Sequence, residues 1–335
     1  MLQTSERRGS EFKVDILVPV YEPNPAYLRE ALLSAQAQTL NNWRLFIVDD
    51  ASTVDVERMI SSFLDDPRMH FRKNKHRLGI GGNWNECMKL GDAQYIQFLF
   101  QDDVWDSDYL TEMTRALDGY STAGFASADH KYVSDPGFPL NPAFSEARSQ
   151  QQHLTPGLHA GRNLLQQWIE RELHPNIIGE PSFTMLRRRL VHRVGRFSPT
   201  MHQLLDVEYW VRCLCRTDWY RVQQDLGTFR VHPGGASVRN HESGAGIYDR
   251  LRCFQRIIHE LPRGDLRKTA VKARNSALDV MAVKFLNRAR NGEKIPAKGS
   301  GSVLTFGLMH PFVTLNALLK AYFGPKNSKA MLRGA

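Results

Sequence analysis

Three short runs constrain the architecture more than any other feature of this chain. Val14–Val20 (VDILVPV), Leu45–Val48 and Tyr95–Phe100 are close to continuously apolar. Runs of that length and composition suit strands covered on both faces. Between the first two, Tyr27 to Thr39 carries apolar residues at helical spacing (Leu28, Ala31, Leu32, Ala35). Further helices are expected at about Asp55 to Leu64 and Asn83 to Leu90, with a short strand near Met69 to Phe71. Strands separated by helices of this length imply an α/β fold with a mostly parallel, doubly wound sheet. Ligands of such sheets collect beyond the carboxyl ends of the strands. Three loops rich in acidic residues fall there: Tyr21-Glu22, Asp49-Asp50 and Asp102-Asp103.

The rest of the chain is less regular. Ser134 to Pro156 is rich in Pro, Gly, Ser and Gln and reads as a long loop, of the kind that serves as a lid or acceptor element. Helices are expected at Leu158–Glu172 and Leu204–Cys215, and a strand over Trp219 to Val231 leads into His232-Pro233-Gly234-Gly235. After Gly246 the pattern is helical and basic to about Arg290. The expected organisation is a flexible segment 1–12, an α/β domain 13–240 with halves at about 13–133 and about 134–240, and a basic helical C-terminal region 241–335.

Charge is distributed unevenly. From Arg250 onward there are 17 Lys/Arg against 4 Asp/Glu, whereas the remainder holds 27 against 31. The basic character belongs to the C-terminal quarter. Aromatics are not interleaved with its cations in a stacking pattern, which argues against a nucleic-acid partner. Val303 to Phe323 is apolar but broken by His310-Pro311, Asn316 and Lys320. That pattern favours a helix lying on a membrane surface or packed on the domain over one that spans. Residues 1–11 contain no apolar signal core, so the expected location is cytoplasmic, with peripheral contact on the inner face of the membrane. Four cysteines at irregular spacing read as reduced thiols, since Cys213-x-Cys215 lacks the spacing of a zinc site.

Two adjacent carboxylates at a strand end repel each other. A divalent metal, a basic side chain or a raised pKa must relieve them. A nicotinamide-binding fold would put its glycine fingerprint after the first strand, but Tyr21-Glu22-Pro23-Asn24-Pro25 stands there instead. The alternative is a nucleotide held by its base. Asp49 can accept the imide hydrogen of uracil or thymine, and Tyr21 can cover the ring. The diphosphate then needs a cation, and Asp102-Asp103 suits Mg²⁺ or Mn²⁺.

Together these residues resemble family 2 glycosyltransferases, the inverting nucleotide-sugar enzymes of GT-A type. The resemblance runs through Val18-Pro19-Val20-Tyr21-Glu22, Ser34–Thr39, Ile47–Thr53, Leu78-Gly79 with Asn83 and Asn85, and Phe98–Asp103. It continues more loosely to about Ser237. One departure stands out: Phe100 occupies the place of the first carboxylate in the family's Asp-x-Asp motif.

The resemblance implies a GT-A-like sheet and a nucleotide site at Pro19, Tyr21, Glu22, Asp49, Arg77, Gly79, Asn83 and Asp102. It implies a metal held by Asp102 or Asp103, with His232 completing the shell or touching the diphosphate, a general base at Asp206 with Glu208 as the fallback, and donor and acceptor halves at about 13–133 and 134–240. Arg230 would meet phosphate, Glu180-Pro181-Ser182 would flank the acceptor, and Arg187-Arg188-Arg189 would meet a lipid diphosphate or stay solvated. The implied reaction moves a sugar from a UDP- or dTDP-sugar to a glycan or lipid-linked acceptor, as in bacterial surface polysaccharide synthesis. A non-catalytic nucleotide-sugar or glycan-binding protein on this scaffold is the alternative. A nucleotidyltransferase would want a basic, glycine-rich loop after strand one, which is missing.

Overall fold

The structure, a computed structural model, describes residues 11–201, 203–236, 245–292 and 307–323. Ser237, residues 1–10 of the N-terminal segment, and 293–306 and 324–335 of the C-terminal region lie outside the described residues. The first half is built as β1 (Val14–Val20), α1 (Pro25–Gln36), β2 (Trp43–Asp49), α2 (Val56–Met59), β3 (Met69–Lys73), α3 (Ile80–Cys87) and β4 (Tyr95–Phe98). These strands lie in the order β3-β2-β1-β4, all parallel. All seven residues of β1 are buried, as the continuous apolar run requires. Asn24 caps α1 by accepting the Ala26 N–H, and Pro25 opens the helix where a missing N–H is harmless. Leu28, Ala31, Leu32 and Ala35 face the sheet.

The sheet continues through β5 (Val104–Trp105), β6 (Ala123–Ser134), β7 (Gly157–His159), β8 (Thr184–Arg187) and β9 (Asp218–Val231). Here the pairing is mixed: β8 lies antiparallel between β4 and β6, β9 runs parallel to β6, and β5 and β7 are antiparallel to β9. The helices of this half are α4 (Tyr109–Gly119), α5 (Pro142–Gln152), α6 (Gly161–Glu170), α7 (Arg188–Val194) and α8 (Leu205–Leu214). Two apolar cores sandwich the sheet. One contains Leu28, Leu32, Tyr109 and Leu110, the other Trp168, Trp210, Phe125 and Leu278.

Several local expectations change. The stretch expected as a loop from Ser134 to Pro156 contains α5, whose Ala147 and Gln151 are buried. Its polar composition reflects a helix exposed on one side. The helix expected at Leu158–Glu172 starts only at Gly161, because Gly157–His159 pairs with β9. That expected at Asp55–Leu64 stops at Met59 and continues as a single tight turn, Ser61–Phe63. The C-terminal pattern splits into α9 (Ala245–Glu260) and α10 (Asp265–Arg290) at Leu261-Pro262-Arg263-Gly264.

Arg187 and Arg188 face inward. Arg187 is buried and donates to the carbonyls of Ala123 and Leu117. Arg188 pairs with the buried Asp15, which Arg44 and the Ala93 N–H also hold. Neither is available for a lipid diphosphate; Arg189 is exposed. Among the described residues no helix is long and apolar enough to cross a membrane. The last helix among the described residues, α11 (Pro311–Phe323), buries Ala317, and Lys320 pairs with Asp279 of α10 at 3.2 Å. Leu308, Phe312, Leu315, Leu319 and Tyr322 point outward.

Candidate active site

The end of β1 meets the end of β2. Tyr21 is clasped by Gln101, whose Oε1 accepts the Tyr21 N–H at 2.9 Å and whose Nε2 donates to the Tyr21 carbonyl. The Arg77 guanidinium lies 4.0 Å from the centre of the Tyr21 ring, a cation–π arrangement that steadies both side chains. Asp49 is fully buried. Its Oδ1 accepts from the Ser52 N–H and hydroxyl, while Oδ2 has no hydrogen bond and faces Lys73 Nζ at 3.4 Å. Glu22 accepts the Thr53 N–H through Oε1, and this bond holds its carboxyl below the ordinary range.

Other expected nucleotide residues shape the wall. Pro19 is buried within β1 opposite Val48. Gly79 has φ +76° and donates its N–H to Asp50 Oδ2 at 2.8 Å. Asn83 is buried, donating to the Val48 carbonyl and accepting from Asn74. Asp50 also accepts from Asn74 and the Leu78 N–H, so it folds the 74–79 loop against β2. Neither Asp50 nor Asn74 was singled out for this from sequence.

Asp102 and Asp103 follow β4 and take different partners at the end of β9. Asp102 Oδ2 lies 2.9 Å from His232 Nε2, and Arg230 Nε donates to the Asp102 carbonyl. Asp103 is fully buried; its Oδ1 accepts the Arg230 N–H, and its Oδ2 is left without a hydrogen bond. Burial, and then the Asp102 charge, push the Asp103 carboxyl well above its ordinary value. The repulsion read from sequence is thus present, and His232 relieves only one side. Among the described residues no three His, Cys, Asp or Glu side chains gather as a preformed metal shell. An orphaned carboxylate oxygen beside a carboxylate–imidazole pair nonetheless fits a hard divalent cation that takes its other ligands from diphosphate and water. Phe100 stacks on Trp84 with ring centres 4.8 Å apart, an aromatic wall where a carboxylate was expected.

Asp206 sits in the first turn of α8, partly exposed. Its Oδ1 accepts the Val207 N–H at 2.8 Å and its Oδ2 accepts from Asn176 Nδ2 at 2.9 Å. Burial, with the Glu180 charge adding, pushes its pKa up to about 7. Glu180 Oε2 lies 2.9 Å from His130 Nε2 and the carboxylate accepts from the Tyr132 hydroxyl. Burial raises the Glu180 carboxyl, but the His130 charge and these hydrogen bonds outweigh it and leave it below its ordinary value. Glu208 is consumed elsewhere: buried completely, it pairs with Arg212 at 2.7 Å and Arg256 at 3.0 Å. The fallback base is therefore a structural ion pair on the opposite side of α8.

Ser182 ties the two halves together. Its hydroxyl accepts the Phe100 N–H, and its carbonyl accepts from Trp105 and Gln97. The loop beginning at Glu180 is thereby held against the end of β4. His130, Tyr132 and Asn176 escaped the sequence reading, because no local pattern distinguishes them from core residues. An Asn three residues before a Gly, as at Asn176 and Gly179, was the one available signal of a side-chain-closed turn.

The family described as Glycosyl transferase family 2 matches residues 15–193. An uncharacterised protein of Mycobacterium tuberculosis is 26% identical over 245 residues, covering 73% of this chain and 75% of the relative. The UDP-Glc:alpha-D-GlcNAc-diphosphoundecaprenol beta-1,3-glucosyltransferase WfgD of Escherichia coli is 28% identical over 100 residues, 30% of this chain and 39% of the relative. This chain thus spans three quarters of the first relative and about two fifths of the second. Among solved structures, S. aureus TarS 1–349 in complex with UDP-GlcNAc superposes with a TM-score of 0.61 at 16% identity, covering 92% of this chain and 81% of that one. That likeness is one of fold.

Proposed function

The chain belongs to glycosyl transferase family 2, and we propose that it transfers one sugar, with inversion, from a UDP- or dTDP-sugar to a hydroxyl of a glycan or lipid-linked acceptor. The observation that carries this reading is Asp206, a tethered carboxylate with a pKa of about 7. A general base works best when its pKa lies near the working pH. Asp206 takes the proton as the acceptor oxygen bonds the anomeric carbon, while the bond from that carbon to the diphosphate oxygen breaks and its electron pair leaves with the nucleoside diphosphate. The UDP-glucose donor and diphosphoundecaprenol-linked acceptor of WfgD, and the UDP-GlcNAc bound by TarS, support the class of donor and acceptor.

The other residues have binding roles. Asp49, whose buried Oδ2 faces Lys73 but makes no hydrogen bond, accepts the imide hydrogen of the base, and Tyr21 backed by Arg77 lies along its face. Gly79 and the buried Asn83, which hold the 74–79 loop against β2, and Pro19 and Glu22 at the end of β1 line the nucleotide site. Asp102, Asp103 and His232 would hold a cation such as Mn²⁺ or Mg²⁺, which would supply positive charge at the diphosphate. Arg230 stands beside it, ordered by its cation–π contact with Tyr27 at 4.2 Å. Residues 13–133 serve the donor and 134–240 the acceptor. The basic C-terminal region makes peripheral contact with an anionic membrane face through the outward apolar side of α11.

The test is a thermal-shift screen of UDP-, GDP- and dTDP-sugars with and without Mn²⁺. Stabilisation by a UDP- or dTDP-sugar that requires the metal is expected. Equal shifts with and without Mn²⁺, or a preference for GDP-sugars, would overturn the donor and metal assignments.

A further inference from the structure

Asp206 is held by a loop that the sequence did not mark. Asn176 donates through Nδ2 to Asp206 Oδ2 at 2.9 Å and to the Gly179 carbonyl at 3.1 Å. Its Oδ1 accepts the N–H groups of Ile178 and Gly179. The side chain therefore performs two tasks: Oδ1, helped by Nδ2 on the Gly179 carbonyl, closes the 176–179 turn, and Nδ2 also reaches the carboxylate. The turn itself is anchored from two helices. Trp168 of α6 donates to the Pro175 carbonyl at 2.7 Å, and Trp210 of α8 donates to the Gly179 carbonyl at 2.9 Å. Gly179 takes φ +103°, a conformation that side-chain-bearing residues rarely adopt. Both indole rings are fully buried, so Asn176 is presented from a rigid mount.

We propose that Asn176 is a positioning residue for Asp206, fixing the plane of its carboxylate so that one oxygen faces the acceptor hydroxyl. The inference rests on the reading of Asp206 as general base. With Val207 N–H on Oδ1 and Asn176 on Oδ2, the carboxylate cannot rotate about its terminal torsion without breaking a hydrogen bond. Orientation of this kind is worth much in rate, since a small misplacement of a reacting group costs on the order of a hundredfold. The charged neighbour on the same loop, Glu180, is engaged by His130 and Tyr132 and does not compete for the amide.

The two tasks of Asn176 can be separated by substitution. Asn176→Asp retains an oxygen for the Ile178 and Gly179 N–H groups but replaces the donor with an acceptor. Asn176→Ser can close the turn but is too short to reach Asp206. The assay is nucleoside diphosphate release by the full chain with Mn²⁺, from whichever of UDP-glucose, UDP-N-acetylglucosamine and dTDP-rhamnose turns over fastest. Both variants are expected to lower kcat at least ~10-fold with donor KM changed less than about twofold. The acidic limb of the kcat profile should move to higher pH, further in Asn176→Asp than in Asn176→Ser, because a second carboxylate then faces Asp206. Wild-type kcat and an unmoved limb in both variants would overturn the positioning role. Asp206→Asn separates the two readings. If Asp206→Asn is inactive while the Asn176 variants match wild type, only the positioning role fails. If Asp206→Asn keeps wild-type activity, the base assignment fails and this inference with it.

Discussion

Replacing Asp206 by Asn should make the protein more stable while abolishing turnover, and the gain should depend on pH. A carboxyl raised from 3.8 to about 7 in the folded state keeps its proton over a range in which the unfolded chain has lost it. Between those values the native state binds more protons than the unfolded state, so stability falls as pH rises. Above about pH 7 the penalty is constant, and the displacement corresponds to roughly 4 kcal/mol. The Asp206→Asn variant escapes it, but the new amide cannot accept from both Val207 N–H and Asn176 Nδ2, which costs about 1 kcal/mol. The net expectation is a gain of about 3 kcal/mol at pH 8 and under about 1 kcal/mol at pH 5. Unfolding entropy for a chain of this size converts the pH 8 gain into a rise in Tm of about 4 °C. The assay is urea and thermal unfolding of both proteins at the two pH values, alongside nucleoside diphosphate release, where a loss on the order of 10²- to 10⁴-fold is expected. A stabilisation that is equal at pH 5 and pH 8, or a loss of stability at pH 8, would refute the argument that Asp206 is held under electrostatic strain for function.

Two further outcomes follow from the geometry. Glu208→Gln should destabilise by about 3–5 kcal/mol in urea unfolding, because it leaves buried Arg212 without its countercharge; kcat per folded molecule should be unchanged, and a catalytic defect beyond the folding defect would reinstate Glu208 at the active site. Phe312→Asp and Leu308→Asp alter side chains that are 87% and 82% exposed, so folding should be unaffected while co-sedimentation with vesicles containing anionic lipid drops severalfold. Undiminished sedimentation of both variants would remove α11 from the membrane contact.

How much was legible follows the range of the interactions. The apolar runs at Val14–Val20 and Tyr95–Phe100 pointed by themselves to buried strands, which pair in parallel with each other, since a sheet covered on both sides accommodates them; the antiparallel β8 on the other side of β4 was not legible. Their acidic termini determined where a ligand site would lie, because a parallel sheet delivers all its carboxyl ends to one edge. The ordered motifs through Asp103 were enough to identify the family. What sequence could not determine were pairings made across the fold: His232 with Asp102, Arg230 N–H with Asp103, Asn176 with Asp206. Periodicity records which face of an element is buried, not which residue it will meet there. For the same reason the inward turn of Arg187 and Arg188 and the helix hidden in the Ser134–Pro156 stretch belong to the tertiary structure alone, whereas the i,i+2 spacing already set Glu208 on another face of α8 than Asp206. Local sequence set the sheet and placed the carboxylates at its edge; long-range packing decided which of them are paired, strained or left open for chemistry.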